Sequence, residues 1–362
     1  MRFELDRTTL VLVIFVAIIA GIFGINQFVQ SQPPLEITVV VDPLAEDWVT
    51  DVAQDYNSNN VIIANSVRVQ VNVQVADDLD IWRGNSGWNS QNHPDAWIPS
   101  SSQSLDYMPS SLPFETIHDS LVYTPLVWGG FQNRVDVITE NGTRPFDWQA
   151  VQTVAETASW SDGGFVNMAI NWASSSMSGV GALTTASGSY GQTDTVTRSI
   201  LTDGNFVTWF APIRESVLNS ERLGGNPAQV MASRGSSAAD FALLPESQWL
   251  IELDNLTANN RAFSFSYPSY QYPLDFPIAL WDDTQVTSNQ RTAVQSFANF
   301  LSNEGQSSAL EHGLRPTNSI LDSSADLFAQ AEPYGILLTL PDSQVVSVSD
   351  RGTTDAIILL PE

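Results

Sequence analysis

Apolar and polar positions alternate with period two over residues 67–75 (VRVQVNVQV), and residues 35–41 (LEITVVV) are mostly β-branched. Both patterns predict strands. Between them Trp48, Val49, Val52, Ala53 and Tyr56 recur at helical spacing, which predicts a helix over residues 44–56. Asp42 suits its N-cap and Pro43 its first position. A short strand follows at 95–98, then a short helix within 101–109. This strand, helix, strand, helix order predicts an α/β sheet with parallel strands. Residues 122–130 then run extended, with Pro125 inside.

Further on, residues 146–158 read as a helix capped by Asp147, with Trp148, Val151, Val154 and Ala155 on its apolar face. Strands are expected at 165–171, 240–245 and 274–280. Helices are expected at 179–187, in one or two pieces within 193–220, and at 289–302 through Val294, Phe297, Phe300 and Leu301. There is no internal repeat of 20–50 residues.

The N-terminus has a different pattern. Residues 10–25 form an uncharged apolar run, preceded by Arg2 and Arg7, with no further basic residue until Arg68. The charge asymmetry predicts a single-pass anchor in the cell membrane, N-terminus cytoplasmic, with the rest extracytoplasmic. The run lacks a good small-x-small cleavage site after it, Gly24-Ile25-Asn26 being a poor match, and there is no cysteine for a lipid anchor. Residues 32–34 (QPP) form a stiff spacer.

Composition removes several chemistries. The chain of 362 residues has no cysteine, and its 14 basic residues are all arginine. Disulfides, thiol catalysis, Schiff bases and a phosphate-binding lysine are thereby excluded. A net charge of −26 argues against nucleic acid as a partner. Charged residues make up only 15% of the chain, so the surface is expected to be rich in Ser, Asn, Gln and Thr. Enzyme motifs are missing: His93, His118 and His312 are isolated, and no G-x-S-x-G occurs. Asp77, Asp78 and Asp80 lack the glycine and glutamate of a calcium loop and read as a helix start. Trp48, Trp97 and Trp148 fall on core faces, whereas Trp82, Trp88, Trp128, Trp172 and Trp281 are open to a core or a stacking role.

What remains is a recurrence. Three predicted strands end in turns that open helices: VVV-DPLA at Asp42, DAWIP-SSS at Ser100, and NW-ASSSMSG at Ser174. Ligands of open α/β sheets bind beyond the carboxyl ends of strands, where helix N-termini offer free N–H groups. The same serines can equally be plain N-caps. Both readings stand at this level.

The succession of ITVVVDPLAEDWV, PDAWIPSSSQSL, FDWQAVQTVA, NMAINWASSSMSGVGALTT, FALLPESQW, YQYPLDFPIALW and FANFLSNEGQSSALEHGLRPTN resembles type 2 extracellular (periplasmic) solute-binding proteins of ABC transporters. It is most similar to their molybdate/sulfate-like branch and to relatives associated with von Willebrand A domains. The resemblance spans most of residues 36–318. It implies an α/β, two-lobe fold with a ligand cleft and two crossover strands. Residues 1–30 would be the cytoplasmic tip and anchor, 31–35 a linker, 36–125 with 272–330 the first lobe, 126–271 the second, and 331–362 an extension of unknown role.

Carried onto this chain, the resemblance implies ligand contacts from Asp42, Pro43, Leu44, Ser100, Ser101 and Ser102 on the first lobe. Ser174, Ser175, Ser176 and Ser178 would face them from the second, with Thr124 and Tyr272 at the crossovers. The implied partners are a small polar or anionic solute, an ABC permease and the membrane, with no cofactor, no metal and no catalysis. One departure weakens the oxyanion assignment. The first loop reads Asp-Pro-Leu-Ala where such binders usually place small hydroxyl residues, and a carboxylate facing the cleft would repel an anion. A sugar is the next ligand class. A membrane-anchored sensory or protein-binding module is the alternative of a different kind. An enzyme would need a carboxylate pair in the cleft, such as Asp42 with Glu246.

Overall fold

The computed structural model describes residue 15 and residues 32–360, apart from 65, 218–222, 319–320 and 322–325. The apolar run at 10–25 expected as an anchor lies, Phe15 apart, outside the described residues. Among the described residues no helix is long and apolar enough to cross a membrane.

In chain order the strands are β1 (Leu35–Val41), β2 (Ile62–Ile63), β3 (Val67–Val75), β4 (Ala96–Ile98), β5 (Phe114–His118), β6 (Val122–Tyr123), β7 (Leu126–Phe131) and β8 (Met168–Ile170). They continue as β9 (Thr195–Val196), β10 (Phe241–Pro245), β11 (Phe263–Ser266), β12 (Tyr270–Gln271), β13 (Ile278–Trp281), β14 (Arg315–Pro316), β15 (Gln344–Val345) and β16 (Ser347–Val348).

Two sheets organise the molecule. The first has six strands in the order β2-β3-β1-β4-β13-β5, and the second has four in the order β11-β7-β10-β8. Strand β1 pairs in parallel with β3 and with β4, as the strand–helix alternation predicts. The late strand β13 returns antiparallel between β4 and β5. In the second sheet β10 is parallel to β8 and antiparallel to β7.

The core follows the sequence pattern. Val39, Val41, Ile37, Trp48, Val52 and Tyr56 are buried where β1 meets the helix Glu46–Ser58. The helix Ser288–Ser302 packs beside it with Val294, Phe297 and Leu301 inward, and Tyr56 meets the Phe297 ring edge-on at 5.3 Å. Trp128 and Trp281 are core residues too, at 0% and 1% exposure, which removes them from any stacking role.

Two segments connect the sheets and run side by side. Leu121 N–H donates to the Phe276 carbonyl and Thr124 N–H to the Leu274 carbonyl, each at 3.0 Å. The Gln271 side chain bonds both backbone groups of Leu126, at 3.1 and 2.9 Å. This pairing explains why the late strand starts at Ile278 rather than at 274: residues 271–276 belong to the connection. There Phe276 is held at φ 42°, a left-handed conformation that bulky residues rarely adopt.

The C-terminal residues fold back onto both sides of this junction. β15 adds to β12 and β16 adds to β9, both in parallel. The helix Arg351–Ile358 packs on the helices Met177–Gly191 and Arg198–Leu201. From the opposite side Tyr107 Oη donates to the Val348 carbonyl at 2.7 Å, and Arg351 Nη2 donates to the Trp82 carbonyl at 2.7 Å.

Candidate functional site: a cleft between the two sheets

A cleft of about 540 Å³ opens between the strand ends of the two sheets. That volume lies within the range of small-molecule sites, about 300–1,000 Å³. One wall is built from Asp42, Pro43, Leu44, Asp47 and Asp77, and the other from Asn171, Trp172, Ser175, Ser176, Ser247 and Gln248, with Gly224, Gly225 and Asn226 nearby.

The first wall is acidic. At the end of β1 the Asp42 carboxylate turns back to accept from Leu44 N–H at 2.9 Å, capping the 3₁₀ turn Pro43–Ala45. At the end of β3 Asp77 does the same for Leu79 N–H at 2.8 Å, capping the short helix Asp78–Trp82. The helix-start reading of Asp77, Asp78 and Asp80 therefore holds. Behind these two lies Asp78, fully buried. Its Oδ2 accepts from Ser100 N–H at 2.9 Å, Ser100 Oγ at 2.8 Å and Ser104 Oγ at 2.9 Å, while its Oδ1 has no partner.

Burial dominates the charge state of these acids. It pushes Asp78 up to about 7 against the pull of its three donors. It pushes Asp77 up to about 6, opposed by the Leu79 N–H. Asp42 is raised well above the usual carboxylate range, first by burial and then by the neighbouring Asp78.

The second wall is neutral. β8 runs into Asn171 and Trp172, and the chain then turns into the helix Met177–Gly191. Ser176 caps that helix through Ser178 N–H at 3.2 Å, and Asn171 Nδ2 donates to Ser178 Oγ at 2.7 Å. The turn is tight enough to require glycine, because a Cβ at Gly179 would stand 2.2 Å from the Asn171 carbonyl oxygen. Ser247 N–H donates to Thr124 Oγ1 at 3.0 Å, which ties this wall to the crossover.

Of the residues expected from sequence, Asp42, Pro43, Leu44, Ser175 and Ser176 come together in the cleft. The others do not reach it. Ser100 and Ser101 are 1% and 0% exposed; the first serves Asp78 and the second caps the helix Ser102–Asp106. Ser102 donates its N–H to Asp275 at 2.7 Å. Tyr272 is buried over Ser101 with its ring against Gly181, and burial pushes its hydroxyl above the ordinary tyrosine range. Thr124 and Ser178 are buried behind the walls, and Ser174 lies beside the cleft without lining it. The capping alternative thus describes the serines around Ser101, because the return crossover and the C-terminal strands close over them.

Glu246 does not offer a partner to Asp42. It is fully buried and held by Arg315 through Nε at 2.5 Å and Nη2 at 2.8 Å, with Tyr267 Oη donating to it as well. Arg315 also donates to the Leu337 and Leu338 carbonyls, so this pair fastens the C-terminal segment.

Asp47, Asp77, Asn171, Ser247 and Gln248 were not expected among the site residues, and Trp172 was left open between a core and a stacking role. Asn171 and Trp172 directly precede the serine cluster, and Ser247 follows a predicted strand end, so position relative to β8 and β10 was the available signal.

No protein-family model and no curated protein sequence matches the chain. Solved structures match it across most of its length. A periplasmic thiamin-binding protein superposes with a TM-score of 0.61 at 14% identity, covering 92% of this chain and 96% of that one. The maltose/maltodextrin-binding domain of Bdellovibrio bacteriovorus, bound to maltotriose, gives 0.59 at 11% identity, covering 90% and 92%. The sulfate-binding protein of Mycobacterium tuberculosis H37Rv gives 0.53 at 15% identity, covering 88% and 98%. At these identities the likeness shows the fold: this chain has the architecture of the solute-binding proteins.

Proposed function

We propose that the protein is a solute-binding protein that captures a small polar molecule between two lobes and presents it to an ABC permease. The observation that carries this reading is the cleft itself. It is walled by strand ends from both sheets, and the sheets are joined by paired crossovers that can act as a hinge. The solved neighbours with this fold are named for binding thiamin, maltotriose and sulfate, which supports capture while leaving the solute open. In this reading the lobe boundaries fall near residues 125 and 272, at the hinge. The apolar run at residues 10–25 supports tethering outside the cytoplasm.

The test is a thermal-shift panel on the purified protein, followed by small-angle scattering. A solute at 100 times its dissociation constant stabilises the fold by about 2.7 kcal/mol. It should also reduce the radius of gyration as the lobes close. A panel of cations, sugars, amino acids and oxyanions without a single shift would remove the capture reading and favour a partner-binding module.

A further inference from the structure

The chemistry of the two walls narrows the solute, on the premise that the cleft is the capture site. We infer that the cleft takes a small organic cation bearing N–H donors and an apolar body.

Three observations lead there. The first concerns donors. An anion in such a cleft is held by helix N-termini and by basic side chains. Here the first N–H groups of the turns are already taken, Leu44 by Asp42, Leu79 by Asp77 and Ser178 by Ser176. No arginine is among the described residues lining the cleft, and the one histidine, His312, is engaged with Asp51 at 3.0 Å. The first wall instead presents the carboxyl groups of Asp42, Asp47 and Asp77, and a bound cation opposes the burial that raises Asp42 and Asp77.

The second concerns acceptors on the opposite wall. Asn171 donates through Nδ2 to Ser178 Oγ and to Gln248 Oε1, which fixes its amide with Oδ1 as the free acceptor. That Oδ1 has no partner; Ser247 Oγ, a hydroxyl that can accept or donate, has none either. Both residues line the cleft at 5% and 2% exposure, so water does not compensate them well. A buried acceptor without a donor is the complement of a ligand N–H.

The third concerns size. Among the described residues no group of three or more His, Asp or Glu is placed to hold a metal ion. A cleft of about 540 Å³ is also far larger than a bare ion requires. Half-buried Trp172 and Leu44 line it and offer an aromatic face and apolar surface to the body of a cation.

The experiment is titration calorimetry on the purified protein with tyramine, agmatine, spermidine and thiamin as cationic probes. Sulfate, molybdate and maltotriose serve as counter-probes. The expected result is binding of at least one cationic probe and of no oxyanion. That affinity should fall tenfold or more in D42N/D77N, whose amides retain the two turn caps, and also in N171L. Unliganded melting curves report whether each variant is folded. If D42N/D77N fails to fold, Asp47→Asn, on an exposed position, carries the charge test alone. Cation affinity unchanged in folded D42N/D77N overturns the inference. Binding of maltotriose or an oxyanion with all cations silent also overturns it, and leaves solute capture standing. Silence across every probe also overturns the inference, and the wider panel with amino acids then decides whether solute capture stands.

Discussion

Replacing Asp78 by asparagine should flatten the pH dependence of stability in a calculable way. Asp78 is fully buried, and its pKa in the folded protein is pushed to about 7, against about 3.9 in an unfolded chain. A carboxyl that holds its proton more tightly when folded stabilises the fold fully below the unfolded pKa. That stability is lost as pH rises towards the folded value. The gap of about three units corresponds to about 4 kcal/mol as a ceiling, because Asp42 and Asp77 titrate beside it and share the effect. The asparagine would keep one oxygen for the three donors from Ser100 and Ser104, while its NH₂ would occupy the place of the unpaired Oδ1. An unpaired amide there costs about 1–3 kcal/mol, equally at every pH, so it shifts the curve without tilting it. The assay is urea unfolding of wild type and D78N at pH 4.5, 6 and 7.5. D78N should gain on wild type by about 2–4 kcal/mol across that range. Repulsion from the overall negative charge cancels in this double difference. Parallel stability curves would refute the reasoning, since Asp78 would then be ionised in the folded protein throughout.

Other expectations follow from single contacts. Gly179→Ala drives a Cβ into the Asn171 carbonyl, a backbone atom that cannot rotate away, and should cost about 2–3 kcal/mol in urea unfolding while weakening solute binding. Arg315→Met strands the buried Glu246 carboxylate and should cost about 3–5 kcal/mol at pH 7, with Lys a poor substitute because two guanidinium nitrogens reach the carboxylate. Ser101→Ala should lose a cap worth about 1 kcal/mol and leave solute affinity unchanged, whereas exposed Ser175→Ala should do the reverse; equal behaviour of the two in calorimetry and melting would contradict the placement of the cleft.

The elements were legible where their physics is local. The alternation at 67–75 became β3 over the same residues, because a period-two pattern commits one face to a core whatever packs on it. The Asp147 cap and the start of the helix Trp148–Ala155 needed only neighbours in sequence. The helix Ser288–Ser302 likewise begins with a capping box between Thr287 and Gln290. Its expected start at 289 was off by one residue.

The site was harder to read because two identical local signals met different surroundings. Ser101 and Ser176 both cap a helix that follows a strand, each bonding the N–H two residues on at 3.2 Å. The caps themselves do not distinguish them. Around Ser101 the chain brings Tyr272 and Asp275 from the return crossover, and Val346 accepts from Gln103 Nε2 at 3.4 Å; all three are more than 170 residues away. Around Ser176 the corresponding space stays open and faces Asp42 and Asp77. Asp42 does cap, but it caps the 3₁₀ turn Pro43–Ala45 and not the helix expected at 44–56, which starts at Glu46 behind Ala45. Its carboxylate was read as a difficulty for an anionic ligand. In the cation reading that difficulty becomes the selectivity once Asp77 and Asn171 are set around it, because Asp77 adds a second carboxyl and Asn171 an unpartnered amide oxygen. A chain read residue by residue identifies where donors and acceptors lie; only the fold reveals which of them remain unmatched, and it is the unmatched ones that specify a ligand.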